Sequence, residues 1–312
     1  MFMKVTAFLI TITLWGCIPV LSTSCRSKPA GNHALRVLVV ETFLADIAQN
    51  VAGDRLKVEA LMPLGADPHS FEPTPQDVAR VADSDVLIVN GAGFEKFLTS
   101  LLQNAGGKRL VIEASAGLTP RVPPADEGAS IGDDPEGDPH FWLNPINTIH
   151  YVENIRDGLS QADLAGKDIY ARNAQAYIAQ LNDLDAWIAA QTAQIPVEHR
   201  LLVTNHESFG YFADRYGFRV IGAIIPSVST SASPSAKQLA ALIGQIKASG
   251  APAIFLETGS NPQIAQQIAG ETGVQVVTNL YTHSVSAADG PAPTYLELMR
   301  YNASQIVEAL KK

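Results

Sequence analysis

Short β-branched runs alternate with helical stretches along this chain, and they do so in two separate series. The first series holds the strand candidates "RVLVV" (36–40), "VEAL" (58–61), "DVLIVN" (85–90) and "LVIE" (110–113). Helical stretches separate them: "FLADIAQNVAG" ending at Gly53, "TPQDVARVADS" with Thr74 as N-cap and Pro75 in its first turn, and "FEKFLTSLLQNAGG" closing on Gly106 and Gly107. Such alternation predicts a parallel sheet with helices on both faces. The second series starts near Leu201, with strand candidates "LLVT" (201–204), "RVIGAI" (219–224), "AIFLE" (253–257) and "VQVVT" (274–278). Its helices run to a final "PTYLELMRYNASQIVEALKK".

Between the two series lies the longest helical pattern, from Lys167 to about Gln194. Tyr170, Ala174, Tyr177, Leu181, Leu184 and Ile188 recur at spacings of three and four, which places them on one helix face. No Pro or Gly interrupts the pattern before Pro196. The fold class read from this is α/β: two α/β lobes with mainly parallel sheets, joined by one long rigid helix. The expected segments are a leader and tether (1–34), an N-terminal lobe (35–165), the linking helix (166–195) and a C-terminal lobe (196–312).

A chain of 312 residues with 46% hydrophobic side chains can bury a large core. Its net charge is −9 and it has no Lys/Arg run, which excludes an ordinary nucleic-acid binder and suits a cationic ligand. "VTAFLITITLW" (5–15) has the length of a signal-peptide core and is short for a membrane span. The chain is therefore expected outside the cytoplasm. Both cysteines fall in or just after this leader. Cys17 follows "LWG", with Leu and Gly placed as in a bacterial lipobox, while Cys25 is followed by the polar tether "RSKPAGNHA". Lipid anchoring at Cys25, lipid anchoring at Cys17 and plain cleavage all stay open. The folded region has no cysteine, so it holds neither an internal disulfide nor a thiolate metal site. The Pro-, Gly- and acid-rich segment 119–139 reads as a surface loop.

Seven histidines need sorting. His33 in the tether and His199 in "PVEHR" are expected at the surface, and His150 in "NTIHYVENI" as a structural residue of a helix. His69, in "DPHSFEPTP", His206, directly after "LLVT", and His283, in "NLYTHSVS", all follow strand candidates. Open α/β sheets bind ligands at the carboxyl ends of their strands. His140 sits in a second proline-stiffened turn, "DPHFWLNP". Three or four neutral imidazoles suit tetrahedral zinc, and sets richer in carboxylate suit manganese.

"PLGADPHSFEPTPQDV", "DPHFWLNP", "TNHESFGYFADRYG" and "TYLELMRYN" resemble, in order, the motifs of the zinc/manganese solute-binding proteins of ABC importers, the cluster A-I or ZnuA/TroA-like family. "ASPSAKQL" and "IFLETGSNPQIAQQIAGETG" extend the resemblance from about Arg36 to the C-terminus. It implies a metal held between two lobes, with His69, His140 and His206 as ligands. Manganese members usually carry Glu where this chain has His206, so the resemblance implies zinc. The family's fourth ligand is commonly Asp in a Y-T/V-D-S context, which here reads Tyr281-Thr282-His283-Ser284. Either His283 completes an all-histidine set, or water or a nearby carboxylate fills that place. Glu207, Asp67 and Glu257 are the carboxylates expected to support a ligand histidine. Loop 119–139 lacks the histidines that many zinc members carry there.

The expected function is thus capture of Zn²⁺, with Mn²⁺ or Fe²⁺ as the alternative, by a non-enzymatic monomer that delivers it to an ABC permease. Affinity is expected to fall below about pH 6.5, because imidazole ligands must be deprotonated. A zinc hydrolase using Glu207 as a base has no HExxH helix to support it, and a surface adhesin has no supporting feature.

Overall fold

In a strand, successive side chains leave on opposite faces, and in this protein both faces of the central strands are buried. The computed structural model describes Phe2 and residues 35–124 and 137–312. Among these, β1 (Val37–Val39), β2 (Val58–Ala60), β3 (Val86–Val89) and β4 (Leu110–Glu113) form a parallel sheet ordered β2-β1-β3-β4. A second parallel sheet, ordered β6-β5-β7-β8, holds β5 (Leu201–His206), β6 (Arg219–Ile225), β7 (Ala253–Glu257) and β8 (Gln275–Leu280).

The two faces go to different cores. Val37, Val39, Val86 and Ile88 face inward with Leu202, Ala253 and Phe255 of the other sheet, in one cluster that runs through both lobes. Leu38, Val40, Leu87 and Val89 face outward to Val81 of α2 (Pro75–Ala82) and Leu101 of α3 (Leu98–Ala105). On the other lobe Leu201, Val203, Ile254 and Leu256 meet α7 (Ala236–Ser249) and α8 (Gln263–Thr272). Thr74 and Asp77 form the capping box that starts α2, with Pro75 in its first turn.

The long linking helix is α5 (Lys167–Thr192), and Tyr170, Ala174, Tyr177, Leu181, Leu184 and Ile188 are all buried, as their spacing predicts. It packs on α1 (Thr42–Ala52) and α4 (Pro145–Ala162) of the first lobe and on α9 (Tyr295–Leu310) of the second. Each buried leucine contributes about 1.5–3 kcal/mol, and Leu181→Ala would cost about 2–5 kcal/mol. Two aspartates tie the lobes to this helix, Asp163 by joining Arg55 to the Tyr170 hydroxyl of α5 and Asp185 of α5 by joining Arg215. Arg55 Nε donates to Asp163 at 2.8 Å just before its start, and Arg215 Nε donates to Asp185 at 2.8 Å along it.

Several boundaries differ from the sequence reading. α3 begins only at Leu98, because Gly91 and Gly93 take positive φ and the Glu95 carboxylate accepts the amides of Asn90 and Gly91, holding a turn. β5 extends through His206, so that histidine ends the strand and does not follow it. His150 lies on α4 with its side chain 55% exposed, a surface position and not a structural one. His199 is half-buried, with Nδ1 shielded from solvent, against the exposed position expected. His33, Cys17, Cys25 and the leader lie outside the described residues, as does 125–136 of the acidic loop. The described ends of that loop are pinned together, with Asp138 N donating to Arg121 O at 2.8 Å. Gly137 takes φ +83° there, and a Cβ would meet Pro120 at 2.8 Å. No helix of the described residues is long and apolar enough to cross a membrane.

Candidate metal centre

Parallel strands put their carboxyl ends on one edge, and the two sheets turn these edges toward each other. His69 lies in the loop after β2, His140 in the turn after β4, His206 at the end of β5 and His283 after β8. All four are buried, and each offers a ring nitrogen within 4.8 Å of those of the others. The His140 and His206 Nε2 atoms are 3.2 Å apart, and those of His140 and His283 are 3.4 Å apart.

The two Asp-Pro-His turns share one local device. Asp67 Oδ1 accepts the His69 amide at 3.0 Å, and Asp138 Oδ1 accepts the His140 amide at 2.9 Å. Each aspartate closes a small turn on its own histidine, and the proline between them limits the backbone. The side chains then diverge. Asp138 Oδ1 also takes the His140 ring, at 2.8 Å from Nδ1. Asp67 Oδ2 instead accepts the Thr230 hydroxyl from the other lobe, and Oδ1 lies 4.0 Å from His283 Nδ1.

One carboxylate serves both histidines of the C-terminal lobe. β5 and β7 are neighbours with Thr204 opposite Phe255, so two residues further on His206 meets Glu257. His206 Nδ1 bonds Glu257 Oε1, while Oε2 lies 3.5 Å from His283 Nδ1 and accepts the Thr282 hydroxyl at 2.6 Å. With protons on the Nδ1 atoms that face carboxylates, the Nε2 lone pairs of His140, His206 and His283 converge. Facing lone pairs repel, and a cation between them removes that repulsion.

Protonation follows the surroundings. Burial, then the neighbouring imidazoles, keeps His69 and His140 well below the ordinary histidine value. Burial also brings His283 down to about 4, against the pull of Glu257. Burial acts the same way on His206, but the charge and hydrogen bond of Glu257 outweigh it and hold this ring above its ordinary value. Burial pushes Glu257 up, and His206, His283 and Thr282 together bring it down to about 2. Asp138 is pushed up to about 8 by burial, with the charge of Glu207 adding to the rise.

The carboxylate that the fold pairs with two site histidines is thus Glu257, while Asp138 carries a role the sequence reading did not assign. Other parts of the site also escaped it. The Phe94 ring packs against His69, His140 and His283 at centroid distances of 5.0, 5.6 and 5.7 Å. Trp142 stacks on Phe43 at 4.4 Å and donates from Nε1 to Thr282 O at 2.8 Å. Ser231 donates to His69 O at 2.9 Å, and Ser284 Oγ accepts from Gly65 N at 2.9 Å and Thr42 Oγ1 at 3.0 Å. These bonds cross from lobe to lobe, and "GAGFEKF" or "PSVSTS" carries no local signal of them.

A family model described as "Zinc-uptake complex component A periplasmic" matches residues 37–309. The manganese-binding lipoprotein MntA of Halalkalibacterium halodurans is 31% identical over 95% of this chain and 96% of its own length. The iron-binding protein YfeA of Yersinia pestis is 31% identical over 97% of this chain and 95% of its own. Among solved structures, the periplasmic zinc binding protein TroA from Treponema pallidum superposes with a TM-score of 0.78 at 27% identity, covering 89% of this chain and 99% of that one.

Proposed function

The chain belongs to the periplasmic zinc-uptake component A family, and from that premise we propose that it captures Zn²⁺ outside the cytoplasm and hands it to the permease of an ABC importer. Members of this family are solute-binding proteins, not enzymes. In this reading the lobes 35–165 and 196–312 are the jaws, and His69, His140, His206 and His283 are the ligands. The ion is cargo and is passed on unchanged.

The observation that carries the reading is the convergence of four imidazoles. Zinc–nitrogen bonds of about 2.0–2.1 Å give a tetrahedron with edges of about 3.3 Å. The Nε2 separations of 3.2 and 3.4 Å are close to that edge. Four neutral imidazoles leave the dication's charge uncompensated. Two carboxylates, Asp138 and Glu257, stand directly behind them and can balance it through the Nδ1 protons. A dication also favours ionised Asp138, so binding is expected to release its proton near neutral pH.

The names of MntA and YfeA make manganese and iron the competing cargoes. The all-nitrogen set argues for zinc, because manganese favours oxygen ligands. Competitive titration of the metal-free protein tests this, and equal or tighter manganese binding would defeat it. Anomalous scattering from metal-loaded crystals of wild type and His283→Ala then identifies the ion and the fourth ligand. Attachment through Cys25 or Cys17 accords with the lipoprotein relative, and mass spectrometry of the membrane-extracted protein distinguishes the two.

A further inference from the structure

His140 and His206 are fully shielded from solvent, so an ion has to reach the centre past one of the other two imidazoles. Those two retain slight exposure, 9% for His69 and 8% for His283. The spaces beside them differ greatly. The one touching His69 holds about 10 Å³, roughly one water. The one touching His283 is a cavity of about 390 Å³ that opens between the lobes.

The charge of the larger cavity is one-sided. Among the described residues its ionisable lining is Asp67, Glu257 and His283, with no Lys or Arg. Asp67 side-chain exposure is 35%, and its Oδ1 is 4.0 Å from His283 Nδ1. Further out come Thr258, Ser260 and Asn261, whose oxygens can replace water around a cation. A cleft with one sign of charge and low-dielectric walls concentrates the opposite ion. The His69 side is held to the other lobe by Ser231 Oγ, which donates to His69 O at 2.9 Å.

We propose that the cavity between Asp67, Ser260 and His283 is the route by which the dication enters and leaves, with Asp67 the first charge it meets and His283 the first imidazole. The inference rests on the metal-receptor reading. It assigns the ion a path through the closed protein, in which the Ser231–His69 contact stays made. A narrowed route slows entry and exit by the same factor and leaves the equilibrium constant alone. A charge placed in it acts on entry and is screened by salt.

The test is stopped-flow zinc binding and chelator-driven release on the full chain, read by the fluorescence of Trp142, whose ring lies 5.2 Å from that of His140. Ser260→Trp is expected to slow both steps by the same factor, about tenfold, at unchanged Kd. Ser260→Lys, which adds charge with less bulk, is expected to slow association by about tenfold at low salt, with the loss relieved at about 0.5 M salt. Lys96→Trp, beside the small His69 space, leaves both rates within about twofold. The proposal is overturned if both Ser260 variants keep wild-type rates, or if Lys96→Trp is the one that slows exchange. Wild type that binds no metal at all would defeat the receptor reading instead, so the two failures are told apart.

Discussion

The two lobes supply two histidines each but hold them in different ways. The N-terminal pair sits on proline-stiffened turns, each fixed by an aspartate two residues earlier, and among the described residues only His140 of the two has a carboxylate on its ring. The C-terminal pair is separated by three successive helix–strand units and shares Glu257. One half is therefore local and modular, and the other is a single polar network. In a network, one deletion disturbs every member.

The largest test of that difference compares Glu257→Gln with Asp138→Asn. Carboxylates behind metal-bound imidazoles typically contribute 10–100-fold in affinity (about this range). Glu257→Gln is expected to cost about a hundredfold in zinc affinity and Asp138→Asn about tenfold, by competitive titration. Equal losses would mean that sharing confers nothing.

Acid comes next. A proton on a ligand ring opposes the ion, so affinity falls as pH falls. His206 is the ring held above its ordinary value, and His69, His140 and His283 lie below theirs. The expected slope is two protons, one from the His206 ring and one from Asp138, about a hundredfold per pH unit below the His206 value, until His283 joins near pH 4. This moves the onset of the loss to above about pH 6.5, since the one ring that titrates first is held above its ordinary value. Isotherms between about pH 8 and pH 5 check it, and a flat profile would exclude imidazole ligation.

A smaller effect is expected of His283→Asp, which replaces an imidazole nitrogen by a carboxylate oxygen. The preference for zinc over manganese should drop by roughly tenfold, measured by competition. An unchanged preference would place His283 outside the coordination set.

The smallest effect concerns the ties to α5. The hydrogen bond of Arg55, then that of Tyr170, and then the Arg55 charge lower Asp163 to about 2. The unfolded value is about 3.9, so this contribution is complete above that pH and lost as pH falls through about 2. The pair is partly exposed, so Asp163→Asn should cost about 1 kcal/mol or less in chemical denaturation, leaving zinc affinity unchanged.

The same contrast explains what the sequence disclosed. His69 and His140 were legible because Asp, Pro and His are adjacent and carry their own turn chemistry. The sheets were legible because β-branched runs and helical periods need no partner to be seen. Glu257 could be named only as one of three carboxylates. Its pairing with His206 depends on β5 lying beside β7 in a given register, which is a property of the assembled sheet. Phe94 and the Thr230–Ser231 contacts are likewise made by distant segments, and the late start of α3 follows from a side chain binding backbone ahead of the helix.

The apolar cluster that runs through both lobes has a consequence for how such a chain can be divided. Phe43 and Ile47 from one end share it with Leu298, Ile306 and Leu310 from the other, around α5. A fragment ending after α5 would leave that face wet, and so would a fragment starting there. The two jaws look like separable modules, yet neither half carries a complete interior. Synthesis must reach α9 before the first lobe can finish folding, and any swap of lobes between relatives must carry a matching seam.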